Sequence, residues 1–283
     1  MLLSSAGAAH PKSSSTSARQ PSHIAVILME NTEYPSIVGS SDAPYLNGLI
    51  RRSGLATRFY GLVHPSLPNY IALLGGSTFG IDSNCEDCMV GGTNLIDQLQ
   101  RSGLTWKAYM DGVPSPCFKG ASNGSYTRHH NPFVYFTDIV SDNRRCSRIV
   151  PLTQLGNDIQ RRALPRFIWI TPDECHDMHS CGIRAGDQFL AATVPRLIAA
   201  LGRTGVLFLT WDEGVSDQGC CTYAKGGHIA AIVAGGLARH GARLKKPADH
   251  YSILRTIEEL WRLPLLRQAR CPCSRSLSAL LTH

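Results

Sequence analysis

The sequence has no apolar run of the roughly eighteen residues that a membrane-crossing helix needs, so no membrane span is expected. It also lacks a basic stripe interleaved with aromatics. The net charge of +7 comes from scattered residues and short pairs such as Arg51-Arg52, Arg144-Arg145, Arg161-Arg162 and Lys245-Lys246. Nucleic acid is therefore not an expected partner, whereas a small phosphate-bearing molecule suits the positive balance. A zinc-finger pattern is missing too: Cys85-x-x-Cys88 is not followed by a second Cys-x-x-Cys or by a His pair at finger spacing. There is no internal repeat. The N-terminus lacks the basic start and full apolar run of a signal peptide, although Ala6-Gly7-Ala8 resembles the small-residue cleavage end of one.

What is present is a chain of 283 residues, 43% hydrophobic, long enough for one large α/β domain or two modest ones. Its ten cysteines are an even number and many for a cytosolic enzyme. The close pairs Cys85/Cys88, Cys175/Cys181 and Cys271/Cys273, with the adjacent Cys220-Cys221, read as loop staples in an oxidising, secreted or extracytoplasmic setting. Spacing alone does not fix the connectivity. Residues 1–22, rich in Ser, Thr and Pro from residue 10, read as a disordered leader or signal remnant ahead of one domain over 23–283.

Within that domain, Ile24 to Met29 is an unbroken apolar run with β-branched residues, the pattern of a strand buried on both faces. It stops at Glu30-Asn31. Further strands are expected over Ala56–Val63, Thr105–Met110, Arg166–Ile170, Val206–Thr210 and His228–Ala234. Helices are expected over 43–53, 68–74, 94–102, 151–162, 187–201 and 249–262. Residues 112–150 show no sustained periodicity and read as an irregular insertion, a lid or substrate-facing excursion. Strand–helix alternation predicts a three-layer α/β/α fold around a mostly parallel sheet. Glu30, Asp111, Asp173 and Asp212-Glu213 all fall just past strand ends, the edge where open α/β sheets bind ligands.

The chemistry centres on His64-Pro65-Ser66-Leu67-Pro68-Asn69-Tyr70. Ser66 falls near a helix start, where free N–H groups and the helix dipole favour an anion. A nucleophile, a phosphate pocket, a metal ligand and a plain N-cap all fit that place. Glu30-Asn31 and Asp212-Glu213 offer hard oxygen ligands for a divalent cation that would activate a serine, or else they cap local turns. His176-Asp177-Met178-His179 supplies two imidazoles and a carboxylate able to orient one, for a second metal, for phosphate oxygens or for a leaving group. His228 follows Gly226-Gly227, small residues that let a ligand approach the backbone. His64 shapes its loop or contacts phosphate. His129-His130 stays unassigned.

Taken together, Met29-Glu30-Asn31-x-x-Tyr34, the His64–Tyr70 segment, Cys175 to Cys181 and Trp211-Asp212-Glu213 with Gly227-His228 resemble the bacterial phosphoesterase family. That family holds secreted acid phosphatases and phospholipases C on the alkaline-phosphatase-like fold. The resemblance runs from about His23 to Pro264. It implies Ser66 as a nucleophile that becomes phosphoserine, with Glu30, Asn31, Ser66, Asp212 and Glu213 around one divalent metal ion (Mg, Ca, Mn, Zn or Fe). It implies Asn69 on a phosphate oxygen and His179 and His228 as phosphate contacts or general acid, with His64, His176 and Asp177 as further substrate-binding candidates. The sequence departs from the phospholipase C form by inserting Val215 to Lys225 before Gly226-Gly227-His228. The expected activity is that of a metal-dependent phosphomonoesterase, with a phospholipase C-type diesterase as the alternative. The partner would be a phosphorylated small molecule or a phospholipid head group. A sulfatase of this fold would need an arginine that Ser66-Leu67-Pro68-Asn69-Tyr70 lacks. A non-catalytic, disulfide-rich binding protein on the same fold is the reading of another class.

Overall fold

The computed structural model describes residues 20–221 and 224–282, so most of the expected leader lies outside the described residues. The domain begins slightly ahead of His23: Pro21 is buried, and its carbonyl accepts from Arg166 and from the Trp261 indole.

The strands are β1 (Ile24–Met29), β2 (Gly54–Tyr60), β3 (Trp106–Met110), β4 (Ser122–Asn123), β5 (Tyr126–Thr127), β6 (Ile149–Pro151), β7 (Phe167–Thr171), β8 (Val206–Trp211), β9 (His228–Ala234), β10 (Arg243–Leu244) and β11 (Ala248–Asp249). The helices are α1 (Tyr34–Ile37), α2 (Pro44–Arg52), α3 (Ser66–Gly75), α4 (Leu95–Arg101), α5 (Thr137–Val140), α6 (Asn143–Cys146), α7 (Thr153–Gln160), α8 (Gly182–Leu201) and α9 (His250–Trp261).

The sheet runs β10-β2-β9-β8-β1-β7-β3-β6, with β11 beside β2 and with β4-β5 as a separate hairpin. All its pairings are parallel except those of β9, which runs against both β2 and β8. The fold is the expected α/β one with a mostly parallel central sheet. The reversed β9 follows from its connection: the chain leaves β8 at Trp211 and returns at His228 beside it, with no crossover helix among the described residues between. β1 lies between β7 and β8, and each of its six side chains has 0% exposure, which is why its sequence shows no polar alternation. Burying an aliphatic side chain of that kind contributes roughly 1.5–3 kcal/mol before conformational entropy is counted.

Two expectations need correction. Residues 112–150 are not wholly an excursion, because Ile149–Pro151 closes the sheet as its edge strand β6 against β3. Helix α8 starts at Gly182 and not at Asp187: the Asp187 carboxylate instead accepts from the Tyr45 and Leu46 amides at 3.0 and 2.8 Å, capping α2 from across the packing interface. Disulfides join Cys85–Cys88, Cys175–Cys181 and Cys271–Cys273 as expected, and also Cys117–Cys146. The staple expected at Cys220-Cys221 is not formed, and both cysteines are unbonded. Among the described residues no helix is long and apolar enough to cross a membrane.

One carboxylate of the core lies away from the acidic edge. Glu258 of α9 is buried, its Oε1 accepts from the Leu266 amide at 3.0 Å, and burial pushes its pKa up to about 8. The folded state therefore holds a proton that the unfolded chain releases near the ordinary glutamate range. Stability should fall as pH rises from that range to about 8, then level off. Glu258→Gln should flatten this slope, as measured by thermal melts at pH 5 and pH 8; an unchanged slope would separate Glu258 from it.

Candidate active site

The acids at the strand ends converge. Glu30 leaves β1 into the interior with 0% exposure, because the next residue, Asn31, adopts φ +45° and turns the chain sharply. Asn31 donates its backbone N–H to Asp212 Oδ1 at 3.1 Å and its side-chain amide to Glu30 Oε2 at 3.0 Å. The first turn of α3 brings in the serine. Ser66 Oγ is buried 3.2 Å from Glu30 Oε2 and 3.3 Å from Glu213 Oε1, and its single proton can serve only one of them. One turn later, Tyr70 donates its phenol to Glu30 Oε1 at 2.6 Å, using the i, i+4 spacing from Ser66 to address the same carboxylate.

Glu30, Ser66, Asp212 and Glu213 thus meet in one buried cluster. Burial shifts every acid there upward. Burial raises Glu30 well above the ordinary range, with Asp212 and Asp177 adding repulsion. Burial and the neighbouring Glu213 do the same to Asp212. Burial carries Glu213 to about 7 and Asp177 to about 8. Asp212 Oδ2 and Asp177 Oδ2 are buried without a hydrogen-bond partner. Orphan oxygens and mutually repelling carboxylates are what a hard divalent cation would satisfy, so this donor set fits one.

The unassigned His130 also belongs here. It is 3% exposed, with Nε2 3.2 Å from Glu30 Oε1, Nδ1 3.5 Å from Asp177 Oδ2, and its ring stacked on Tyr70 at 5.4 Å. Burial lowers its pKa to about 3, which leaves it neutral and able to ligate or accept. Glu30, His130 and Asp177 each bring one potential ligand atom within 4.8 Å of the others. His129 and His130 lie in a one-turn 3-10 helix inside the irregular segment, where no periodicity marks a position as inward-facing. The His-His dipeptide was the only sequence signal.

The remaining candidates divide. His179 is exposed at the rim, its amide on Asp177 Oδ1 at 2.8 Å and its ring 6.5 Å from that of His130. His64 Nδ1 lies 2.6 Å from Glu213 Oε2, beside the pocket and against one of its acids. Asn69 is fully buried and occupied by its own loop: Oδ1 accepts from the Leu62 and Val63 amides at 2.9 and 3.2 Å, and Nδ2 donates to the Val63 carbonyl at 2.8 Å. That arrangement fixes the approach to Ser66. His176 is drawn to a separate group, 2.7 Å from Asp111 and 3.2 Å from Asp173. His228 is not brought into the pocket; its ring is sandwiched between Tyr34 at 4.4 Å and Tyr60 at 5.1 Å, and Nε2 meets the Thr57 carbonyl. Gly226-Gly227 admits protein backbone and not a ligand: a Cβ on Gly226 would sit 2.8 Å from Val63 N, and one on Gly227 2.6 Å from the Gly214 Cα.

Residues 39–264 match the sequence profile of the Phosphoesterase family. Curated relatives include a phosphatidylinositol-3-phosphatase of Mycobacterium tuberculosis, 28% identical over 86% of this chain and 77% of that protein. They also include a probable acid phosphatase of Kluyveromyces lactis, 28% identical over 85% of this chain and 58% of that protein. An acid phosphatase of Aspergillus fumigatus is 27% identical over 87% of this chain and 56% of that protein. The chain thus spans a little over half the length of these two fungal relatives, and the similarity is not confined to bacteria. Among solved structures, a protein in the alkaline phosphatase superfamily from Vibrio parahaemolyticus superposes with a TM-score of 0.60 at 13% identity, over 90% of this chain and 71% of that one. At that identity it is the fold that is shared.

Asp212→Asn separates the two faces of the acidic pocket. It should weaken binding of a divalent cation about ten-fold or more by titration calorimetry. In metal-free protein at pH 8 it should raise the melting temperature, because folding no longer has to keep this acid protonated or bury its charge. A lower melting temperature with unchanged cation binding would show Asp212 to be a structural cap.

Proposed function

The chain belongs to the Phosphoesterase family, and we propose that it is a metal-dependent hydrolase of phosphoric esters working through a phosphoserine on Ser66, most simply a phosphomonoesterase. The observation that carries the reading is the placement of Ser66 Oγ against the buried Glu30 and Glu213 carboxylates, with orphaned Asp212 beside them. Glu30, Ser66, Asp212 and Glu213 would hold the cation, with Asn31 fixing two of them and with His130 and Asp177 adjacent. When bound, a divalent ion would neutralise the carboxylates and lower the proton affinity of the Ser66 hydroxyl.

In the proposed reaction Ser66 Oγ forms a bond to phosphorus as the ester oxygen departs. The serine proton has the Glu30 and Glu213 oxygens as its nearest acceptors. The departing alkoxide takes a proton from a histidine at the rim, exposed His179 being the proposed donor, and water then attacks the phosphoserine to release phosphate. Phosphoryl transfer asks mainly for positioning and charge, which the fixed Asn69 loop and the cation-loaded pocket would provide. One divalent ion is the expected cofactor, and a phosphorylated small molecule or head group the partner. Phosphatase names among the relatives favour a monoester over a diester. Four disulfides favour an oxidising, extracytoplasmic setting.

Wild type and Ser66→Ala should be compared on a phosphomonoester, a phosphodiester and a phospholipid with divalent ions present. The variant should fold normally and lose about a thousand-fold or more in kcat on the preferred substrate. Undiminished turnover by Ser66→Ala would remove Ser66 as nucleophile. Inactivity of a folded, metal-loaded wild type on every ester would leave the binding-protein reading.

A further inference from the structure

Eight of the ten cysteines are joined in disulfides. The other two are adjacent in sequence, and their Sγ atoms lie 2.6 Å apart. They occur in the insertion after Glu213, the segment in which the chain departs from the phospholipase C form. Both legs of that insertion stand on the candidate site. On one side Glu33 Oε1 accepts from the Val215 and Ser216 amides and from Ser216 Oγ, at 3.1, 2.9 and 2.6 Å. His64 links the Ser216 carbonyl to Glu213, lying 3.2 Å from the first and 2.6 Å from the second. On the other side the Lys225 amide donates to the Leu62 carbonyl at 2.9 Å, and Leu62 is in turn held by Asn69. Cys220 itself bonds to the Ala224 carbonyl and packs on a small cluster of Tyr60, Leu62, Ala72, Ala224 and Tyr251.

We propose that Cys220 and Cys221 are a redox-active vicinal pair that closes to a disulfide and, through the insertion, changes how substrate is bound at Ser66. The chemistry needs a small-molecule disulfide as oxidant. Exposed Cys221 is the sulfur that meets it: its thiolate bonds to one sulfur of the oxidant and expels a thiolate. The Cys220 sulfur then attacks Cys221 Sγ, expels the oxidant's second half as a thiol and completes a ring across one peptide unit. Two protein thiols are oxidised and one small disulfide is reduced to two thiols, so protons and electrons balance. Half-buried Cys220, whose thiol is pushed up by burial and by the sulfur beside it, is the resolving partner and not the attacking one. Closing the ring forces new torsions on the backbone between the two legs, and those legs end on Glu213 and on the Leu62–Ser66 approach.

The thiol chemistry stands apart from the hydrolase reading, whereas its effect on substrate rests on it, so the test has two readouts. Full-length protein is equilibrated in buffers of graded reduced and oxidised glutathione, alkylated, digested and weighed. The peptide carrying Cys220 and Cys221 should take two alkyl groups at reducing poise and none at oxidising poise, with the other four disulfides intact. KM for a chromogenic phosphomonoester should differ about three-fold or more between the two forms, with a smaller change in kcat. Cys221→Ser, altering an exposed side chain, should keep its four disulfides and show no such response. Two alkyl groups at every poise would overturn the proposal, as would a ring that forms with KM unmoved, or a KM response that persists in Cys221→Ser. Absence of any turnover, with the mass change present, would count against the hydrolase reading and not against the pair.

Discussion

Carboxylates gathered in a buried pocket are the constraint on which the rest of this structure depends. Glu30 and Asp212 are fully buried, Glu213 nearly so, and Asp177 adjoins them across His130. Burial is the first cause of the upward pKa shift at all four, and at Glu30 and Asp212 repulsion from neighbouring carboxylates adds to it. Without a cation, protons must compensate the pocket, and that compensation fails as pH rises. With a cation, as proposed, Glu30, Asp212 and Glu213 would become ligands beside Ser66, with Asp177 adjacent. Under that proposal cation binding and folding stability would be linked, since whatever neutralises the pocket would also stabilise the fold around it.

The surrounding elements hold that charge in one geometry. Tyr70 donates to one Glu30 oxygen and Asn31 to the other, so this carboxylate has little freedom to rotate. Asn69 ties Leu62, Val63 and Pro65 into a closed turn just ahead of Ser66, with a cis bond at His64-Pro65. Gly61 lies where a Cβ would strike the Gly226 carbonyl at 2.4 Å and the Asp212 carbonyl at 3.0 Å, so the end of β2 can cross the end of β8 only at a glycine. The serine is consequently positioned by backbone crossings and buried amides, which respond less to side-chain motion than a surface loop would.

How much of this the sequence discloses depends on how each group is held. Buried parallel strands announce themselves as apolar runs, and the acids that end them are legible because the sheet edge is a fixed place in the fold. Glu30, Asp212 and Glu213 could be assembled from sequence for that reason, and Ser66 because prolines and a helix start mark its position. His130 could not, since it reaches the pocket from an irregular segment whose path is set by tertiary contacts, including the Cys117–Cys146 bridge and the stack on Tyr70. Asn69 and Gly226-Gly227 were legible as special positions but not in their use. An asparagine three residues after a serine and a glycine pair before a strand suit a ligand as well as they suit neighbouring backbone. In this protein the protein's own backbone is present at both. The direction of β9 was likewise invisible, because a buried strand has the same apolar pattern whichever way it runs.

The acidic pocket also weighs on the choice between an enzyme and a binding protein that kept the fold. Buried unpaired carboxylates oppose folding, and apolar or amide side chains of similar size would relieve that cost. A chain with no chemistry to perform would be more stable without Asp212 and Glu213 at these positions, and it would need no hydroxyl between Glu30 and Glu213. Here the costly groups surround one serine at the start of a helix, on the sheet edge where ligands bind. Cost placed so narrowly supports the proposed reaction at Ser66; the other buried acids outside the pocket, Asp97, Asp187, Asp249 and Glu258, each accept a backbone amide.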